Sequence, residues 1–331
     1  MKQKARANSV YVAGMALLSV YLFWGGTYVG MKVAIETMPP FLMAGIRFFV
    51  AGAVLYIISR LSGAKRPAGR EWRSSAIVGA LLLLGGNGLV AWSEQRVSSS
   101  IASLIVAAVP VWMMLFGWLG RNGKRPNTGI IGGIVLGLLG IAVLVFQPGQ
   151  GDNGSTTGLI GIITLLVASM SWAAGSMYSR SAVMPASPLM STAAQMLTGG
   201  VLLLVFSFFT GDWSKLDVPA ISLRSYAALG YLIVFGSIIG YTGYIWLLKN
   251  ADAALVSTYA FVNPVVAVFL GWLLAGEQLS VNTLTAAVII IAAVVLVTIF
   301  RSRAVPVREE QGTGQVKVKG ISLLRSSLPK R

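Results

Sequence analysis

The sequence contains no cysteine and no histidine. Their absence excludes disulfide frameworks, Cys/His zinc sites, cysteine nucleophiles and histidine-based catalytic triads. Charge is scarce too, because only 11% of the 331 residues are Asp, Glu, Lys or Arg, against about 25% in a soluble domain. Hydrophobic residues make up 56% of the chain, and the mean hydropathy is +0.77. This composition excludes a soluble globular protein and indicates a polytopic membrane protein.

Negative charge is especially rare: 10 Asp and Glu stand against 26 Lys and Arg, a net charge of +16. A basic nucleic-acid binder needs a polar surface to present its charge, and this chain has too few polar residues for one. Positive residues instead mark the cytoplasmic loops of membrane proteins. With the N-terminus placed inside, most of the 26 fall in cytoplasmic segments, and only Arg96, Lys215 and Arg224 fall outside. The pattern predicts two cytoplasmic termini and no nucleic-acid partner.

Apolar runs long enough to cross a bilayer, about 20 residues each, recur along the chain. Backbone polar groups in lipid must be satisfied within the segment, so these runs are predicted to be helices. We predict an all-α polytopic membrane protein with ten transmembrane helices, a cytoplasmic N-terminus over 1–10 and a disordered, basic cytoplasmic tail over 301–331. The predicted spans are 11–33, 41–59, 74–93, 99–119, 129–146, 158–178, 189–209, 226–248, 253–274 and 282–300.

The two halves of the sequence repeat one another, with a first five-helix repeat over 11–146 and a second over 157–300. Five is an odd number, so the second repeat enters the membrane in the opposite orientation. Inverted repeats are typical of secondary transporters, in which they permit alternating access. At an offset of 148 the matched pairs are Trp24 and Trp172, Pro40 and Pro188, and Gly52 and Gly200; at 154 they are Ser103 and Ser257, Pro110 and Pro264, and Trp118 and Trp272.

A family resemblance is carried by Trp24-Gly25-Gly26-Thr27…Lys32…Pro39-Pro40…Arg47-Phe48 in the first half and by Asn263-Pro264…Gly271-Trp272-Leu273…Gly276-Glu277 in the second. These stretches resemble the EamA-type carriers of the drug/metabolite transporter superfamily, over residues 11–300. Within that family, Ala91-Trp92-Ser93-Glu94-Gln95 is similar to the YedA-like exporter branch. The resemblance implies a ten-helix inverted-repeat fold with a central cavity, in a bacterial inner membrane, that exports small metabolites or amino acids.

Paired prolines near mid-span indicate a binding site. Proline removes an intrahelical hydrogen bond, and Pro110 and Pro264 occupy corresponding positions of the two halves. Paired interruptions of this kind are typical of transporter binding sites, although a packing kink without substrate contact is the alternative. Asn263 is a candidate for substrate contact or for an interhelical hydrogen bond, because a buried amide needs partners. Asn87 in the third span is a further substrate-binding candidate.

Aromatic side chains that carry a polar group lie inside the predicted spans. Such side chains suit an amphipathic ligand, since the ring supplies contact area and the O–H or N–H group a directed hydrogen bond. The alternative is ordinary packing between helices. The candidates are Trp24, Tyr28, Trp112, Trp172, Tyr241, Tyr244 and Tyr259.

Two cationic residues, Lys32 and Arg47, lie within or at the edge of spans. An ionisable group at such depth usually faces a cavity or a partner. One hypothesis is that both make the outer part of the cavity positive and favour substrates with a carboxylate. The alternative is snorkelling with structural pairing to Glu36 or Glu94. The sequence offers no obvious proton carrier, so proton antiport and facilitated efflux both stay open.

The function predicted from these features is export of small metabolites, amino acids or amphipathic drugs through the lipid bilayer, by a protein that acts as a monomer. A carrier of phosphorylated or nucleotide-linked sugars is the alternative, although it is expected to have several cavity cations. A receptor or scaffold would not need an inverted repeat. No enzyme activity, metal or cofactor is predicted, since the chain lacks His and mid-span Asp.

Small residues on the fifth predicted span suggest a helix contact. Gly129, Gly133 and Gly137 form two consecutive GxxxG steps, which allow another backbone to approach closely. They predict packing of the fifth span against the tenth, with a dimer interface as the alternative.

Overall fold

The computed structural model describes residues 12–119, 128–145, 156–250 and 259–304. Within these ranges the regular secondary structure is helical, and no strand occurs among them. The predicted N-terminal segment and most of the predicted tail lie outside the described residues. The last helix continues to Ala304, past the predicted start of the tail at residue 301. Arg301, Arg303 and Ala304 are good helix formers, so the helix outlasts the apolar run.

The helices follow the predicted spans closely, with loops of a few residues between most of them. In chain order they are α1 (Val12–Ala34), α2 (Pro40–Leu61), α3 (Gly69–Ser93), α4 (Ser99–Leu119), α5 (Thr128–Val145), α6 (Thr156–Ser181), α7 (Pro188–Phe209), α8 (Leu223–Tyr231, continued by Leu232–Ile239 and Gly240–Asn250), α9 (Tyr259–Ala275) and α10 (Val281–Ala304).

Seven of these helices are long and apolar enough to cross a membrane: α1, α2, α3, α4, α6, α7 and α8. The other three contain shorter apolar stretches, Ile131–Gly140, Val262–Ala275 and Val281–Leu296. Residues 251–258, which include the predicted start of the ninth span, lie outside the described part of the chain.

Three helices contain a stretch of wider π-helix, which the sequence analysis did not predict. These stretches are Val20–Trp24 in α1, Ala80–Gly88 in α3 and Leu232–Ile239 in α8. A π-helical turn breaks the regular hydrogen-bond ladder and is frequent at functional sites. Each stretch here reaches the middle of its helix, where side chains and carbonyl groups are needed for the site described below.

The two halves are joined by a close crossing of α2 and α7, at which glycines from both repeats lie. A Cβ atom on Gly52 would lie 2.7 Å from the backbone nitrogen of Leu197, and one on Gly200 would lie 2.5 Å from that of Phe49. Gly52 and Gly200 are equivalent at the offset of 148. The same small residue therefore serves each side of one crossing, where only glycine allows this approach of the backbones.

Helix α5 packs against α10, which confirms the contact predicted from the glycines of the fifth span. A Cβ atom on Gly129 would lie 2.4 Å from the Phe300 ring, and one on Gly140 would lie 2.6 Å from Ile290. Gly137 lies opposite Ala293 at an ordinary contact distance of 3.5 Å. The glycines therefore serve a contact within the chain.

Large apolar side chains cover much of the outside of the helical bundle. Ile57, Ile163 and Val288 are each more than half exposed. In water such a surface would drive association, whereas in a bilayer it faces acyl chains. Polar and small residues are concentrated inside the bundle, as expected of a membrane protein whose helices contact one another through small and polar groups.

Candidate functional site

A cavity of about 80 Å³ lies inside the bundle, between residues of both halves. Helices α1, α2, α3, α4, α6, α8 and α9 all contribute to its wall. Most of the predicted site residues line it: Trp24, Tyr28, Arg47, Asn87, Trp172, Tyr241, Tyr259, Asn263 and Pro264. We call this cavity the central pocket. The structure thus brings together candidates that are more than 200 residues apart in the sequence.

Trp24 lies at the centre of an aromatic cluster beside the central pocket. Its ring centroid is 5.3 Å from that of Tyr241, 4.9 Å from Tyr244, 5.6 Å from Tyr259 and 6.4 Å from Trp172. Most of these pairs have edge-to-face geometry, which aromatic quadrupoles favour. Trp24 and Trp172 are equivalent in the two repeats, so the cluster also joins the halves at corresponding positions.

The indole of Trp24 is fixed by a hydrogen bond to the backbone. Its Nε1–H group donates to the carbonyl oxygen of Gly236 over 3.0 Å. Gly236 lies in the π-helical stretch of α8, and π-helical turns leave carbonyl groups outside the regular ladder. Because the N–H group of Trp24 is already engaged, Trp24 offers the pocket its ring and no free donor.

Arg47 is the cationic side chain of the pocket and is almost fully buried, with 3% of its surface exposed. Its Nε atom donates to the hydroxyl of Ser237 over 2.9 Å, and its guanidinium carbon lies 4.6 Å from the centre of the Phe48 ring. Gly236 makes room for it, since a Cβ atom there would lie 3.0 Å from an Arg47 nitrogen. Among the described residues, Nη1 of Arg47 has no hydrogen-bond partner.

Two further polar atoms of the pocket lack partners within the described ranges: the hydroxyl of Tyr241 and Oδ1 of Asn263. Buried polar groups in folded proteins are nearly always hydrogen-bonded, and each exception needs an explanation. Together with Arg47 they provide a charged donor, a hydroxyl and an amide acceptor in one aromatic cavity. Asn87 also lines the pocket, while its Nδ2 donates to the carbonyl oxygen of Leu82 over 3.3 Å.

Lys32 lies outside the lining of the pocket and is engaged elsewhere. Its ammonium donates to the carbonyl oxygen of Val97 over 3.1 Å and, in a short contact, to that of Glu94. The alternative, an ion pair of Lys32 or Arg47 with Glu36 or Glu94, does not occur among the described residues. The carboxylate of Glu36 instead pairs with Arg224 at 3.6 Å. Lys32 reaches the turn carbonyls because its flexible stem is long enough to leave the end of α1.

Four acidic residues follow the ends of α1, α3, α7 and α9: Glu36, Glu94, Asp212 and Glu277. We call this part of the bundle the carboxylate end. Glu277 accepts hydrogen bonds from the backbone N–H and hydroxyl of Ser99, at 2.6 and 2.7 Å, and from both corresponding groups of Ser100. Asp212 accepts from the backbone N–H groups of Phe41 and Leu42 at 2.9 and 3.3 Å. Both carboxylates thus cap helices of the first half.

Glu94 differs from the other carboxylates at this end. It is completely buried, and both of its side-chain oxygens lack a hydrogen-bond partner among the described residues. It follows directly on Ser93, the last residue of α3. Burial raises the pKa of the Glu94 carboxyl, while the neighbouring Lys32 ammonium opposes this shift. From the sequence, Glu94 is part of the Ala91-Trp92-Ser93-Glu94-Gln95 motif and a possible partner for a cation.

Three other predicted residues lie away from the lining. Trp112 donates from Nε1 to the hydroxyl of Ser169 over 2.8 Å and so fastens α4 to α6. Tyr244 belongs to the Trp24 cluster. Pro110 follows a break in α4, whose first piece ends at Val106 and whose second begins at Val109. Helix α9, by contrast, continues through Pro264, which lines the central pocket.

Sequence analysis missed several lining residues: Thr27, Met31, Val90, Ser103, Val106, Ala107 and Val109. A signal existed for two of them. Thr27 belongs to the Trp24-Gly25-Gly26-Thr27 stretch, and Ser103 opens the segment that is repeated at the offset of 154. Both hydroxyls donate to carbonyls of their own helices, at 2.6 Å and 2.8 Å. Both hydroxyl protons are therefore engaged within their own helices.

Comparison with known proteins gives a consistent set of similarities. The model of the EamA-like transporter family matches residues 12–146 and 159–299. The inner membrane transporter YedA of Escherichia coli strain K12 is 41% identical over 285 residues, which cover 86% of this chain and 90% of YedA. The transporter YoaV of Bacillus subtilis strain 168 is 28% identical over 295 residues, covering 87% and 97% of the two chains.

A solved crystal structure has a similar fold. It aligns with a TM-score of 0.60 and 17% sequence identity, over 89% of this chain and 99% of the other. At that identity the likeness concerns the fold alone.

Proposed function

Because the chain belongs to the EamA-like transporter family, we propose that it is a secondary transporter that exports small amphipathic metabolites with a carboxylate, amino acids among them. It is a multi-pass protein of the inner membrane. The proposed class also includes amphipathic drugs that carry an acidic group. The proposed unit is the monomer, since the central pocket is built from one chain.

In the proposed topology all ten helices cross the membrane, as two inverted five-helix repeats with both termini in the cytoplasm. The seven long apolar helices and the apolar stretches of α5, α9 and α10 support this count. The orientation rests on the positive residues, which are concentrated in the loops assigned to the inside. The carboxylate end then faces the outside.

The substrate class is proposed from three polar atoms of the central pocket that have no hydrogen-bond partner among the described residues. Nη1 of Arg47 is a charged donor, suited to a carboxylate. Oδ1 of Asn263 is an acceptor, suited to the ammonium of a zwitterion, and the hydroxyl of Tyr241 can serve either group. The surrounding rings of Trp24 and its neighbours supply apolar contact. A small molecule with a carboxylate and an apolar part matches this arrangement.

Transport by alternating access requires the pocket to open to each side in turn. At about 80 Å³ the cavity is well below the ~300–1,000 Å³ of typical ligand sites, so we assign the described conformation to a closed state. Opening requires the two halves to move against each other. The repeat-related contacts, such as Gly52 and Gly200 at the α2–α7 crossing, offer equivalent surfaces for two such arrangements.

Efflux from loaded cells tests the proposal. Cells with and without the protein are loaded with labelled amino acids and metabolite pools, and the loss of label is followed. We expect faster efflux of carboxylate-bearing amphipathic compounds from cells that contain the protein. An absence of any difference across these compounds and acidic drugs would contradict export.

The variant Arg47→Gln tests the role assigned to the pocket cation. A hydrogen bond to a charged group is worth about 1.5–3 kcal/mol, which corresponds to about a tenfold to a hundredfold loss of carboxylate efflux. Arg224→Gln is the matched control, because it removes a positive charge that is exposed and lies outside the central pocket. Normal efflux by a stable Arg47→Gln or Arg47→Ala protein would remove the substrate assignment.

Phosphorylated and nucleotide-linked sugars fit this site less well. Phosphate groups call for several cations, and Arg47 is the one Lys or Arg among the described residues that line the central pocket. Lys32, the second candidate, donates to two backbone carbonyls. Faster efflux of sugar phosphates than of carboxylates in the same cells would reverse this preference.

A further inference from the structure

Three of the four acids at the carboxylate end have partners. Glu36 pairs with Arg224, Asp212 accepts two backbone N–H groups, and Glu277 accepts from Ser99 and Ser100. Glu94 is completely buried and has none within the described part of the chain. The structure supplies no hydrogen bond that would hold its charge.

The groups around Glu94 explain why a partner is missing. The Lys32 ammonium is close, yet it donates to the carbonyl oxygens of Glu94 and Val97 rather than to the carboxylate. Tyr28 on α1, Arg47 on α2 and Glu277 after α9 are the other titratable groups whose fields reach Glu94. Helix α6 packs against this turn at Gly161, and its titratable residues, Tyr178 and Arg180, lie near its opposite end.

An ionised carboxylate without hydrogen bonds is costly to bury, whereas a neutral carboxyl group costs much less. The closed conformation therefore favours the protonated form of Glu94. Opening of the carboxylate end admits water, which solvates the charged form and removes that preference. Protonation and closure are thereby thermodynamically linked, and each favours the other.

We propose that Glu94 is a proton-binding site that controls closure of the carboxylate end. In the open state its carboxylate takes a proton from a hydronium ion of the external water, so that the carboxyl O–H bond forms as an O–H bond of the hydronium ion breaks and water is released. The neutral side chain is then buried as the end closes. Reopening lets water remove the proton again. The outward assignment rests on the proposed function, and acidity outside the cell then favours the closed state. Tyr28 lines the central pocket and is close enough to Glu94 to interact with it electrostatically.

The test measures closure directly and needs no substrate. The chain has no native cysteine, so a single introduced thiol has no background. Val90 lines the pocket one helical turn before Glu94. The variant Val90→Cys is labelled with an impermeant thiol reagent added outside the cell, and the labelling rate reports how often this end is open. Ser214→Cys, exposed at the same end, corrects for the intrinsic pH dependence of thiol labelling.

We expect the corrected labelling rate of Val90→Cys to rise with pH, by up to about tenfold per pH unit for one linked proton. Adding Glu94→Gln, which imitates the neutral form, should abolish this rise. Adding Glu277→Gln is the matched control, and it should keep the pH dependence even where weaker capping raises the rate. A flat profile without Glu94→Gln, or a persisting slope with it, would overturn the proposal.

A second measurement covers the case in which a variant misfolds. Infrared difference spectra of the unmodified protein, taken between acidic and alkaline pH, report the C=O stretch of a protonated carboxyl. We expect loss of one such band as Glu94 ionises, at a pH above the usual range of Glu, and no loss of it in folded Glu94→Gln. Absence of the band in the unmodified protein would refute the proton site, whereas failed efflux alone would refute only the transport proposal.

Discussion

The carboxylate end and the central pocket differ in the hydrogen bonding of their polar groups. At the carboxylate end, Glu277 receives four hydrogen bonds, Asp212 two, and Lys32 is engaged by two carbonyls. In the pocket, polar atoms of Arg47, Asn263 and Tyr241 have no partner among the described residues. Polar groups with hydrogen-bond partners hold helices together, while polar groups without partners are available to a ligand.

The position of a charged residue in a helix is therefore a weak guide to its role. Lys32 and Arg47 are both cationic, yet Lys32 donates hydrogen bonds to carbonyl groups of a turn and Arg47 lines the cavity. Glu94 is the exception, since it lies at the carboxylate end and both of its side-chain oxygens lack a hydrogen-bond partner in the described part of the chain. That exception is the reason for assigning it a proton rather than a structural bond.

The largest expected effect on stability comes from Glu277→Ala. It removes four hydrogen bonds to a charged group and the cap of α4. We expect the free energy of unfolding in detergent to fall by about 2–3 kcal/mol, because charged hydrogen bonds and helix caps each contribute on that scale. Thermal unfolding followed by tryptophan fluorescence measures the change.

Glu36→Gln is the control for this prediction. Its ion pair with Arg224 is exposed, and exposed pairs contribute less than about 1 kcal/mol. Equal losses for the two variants would mean that the caps at the carboxylate end are not what stabilises it.

A smaller loss is expected for Trp24→Phe, which keeps a ring but removes the donor to the Gly236 carbonyl. Leaving that carbonyl without its partner should cost about 1–2 kcal/mol in the free energy of unfolding. Trp118→Phe, at an exposed position on α4, should cost little. If both variants unfold at the same temperature, the hydrogen bond to the π-helical stretch of α8 does not stabilise the pocket wall.

Much of the fold followed from the sequence, because apolar runs and glycines report directly on membrane helices and their close contacts. The α5–α10 contact was predicted from Gly129 and Gly137 for that reason. The π-helical stretches were not predicted, since they depend on tertiary contacts. A Cβ atom on Gly86, for example, would lie 2.8 Å from the Trp172 ring, which makes the path of α3 a consequence of packing against α6.

The site was predicted in its aromatic part and less well in its charged part. Trp24, Trp172 and Tyr241 were identified because polar aromatic residues inside spans are uncommon, and the structure brings them together. The roles of Lys32 and Glu94 depend on which carbonyl groups a turn presents. This geometry cannot be read from the sequence, which is why an ion pair of Lys32 with Glu94 was an open alternative.

Asn263→Ala is expected to have the smallest effect on stability. It also tests most directly whether pocket groups without hydrogen-bond partners bind substrate. Oδ1 of Asn263 has no partner in the described structure, so its removal breaks no hydrogen bond of that atom and should lower the free energy of unfolding by no more than about 0.5 kcal/mol. Efflux of zwitterionic substrates should nevertheless fall several-fold, while that of carboxylates without an ammonium should not.

Gln195→Ala is the matched amide control, because Gln195 is also buried and its Nε2 donates to the hydroxyl of Ser191 over 3.1 Å. Loss of that bond should cost about 1 kcal/mol and leave substrate preference unchanged, since Gln195 lies outside the lining of the central pocket. If Asn263→Ala is the more destabilising of the two, Asn263 is a structural residue like those of the carboxylate end. Lack of a hydrogen-bond partner would then not distinguish substrate-binding residues of the pocket from structural residues.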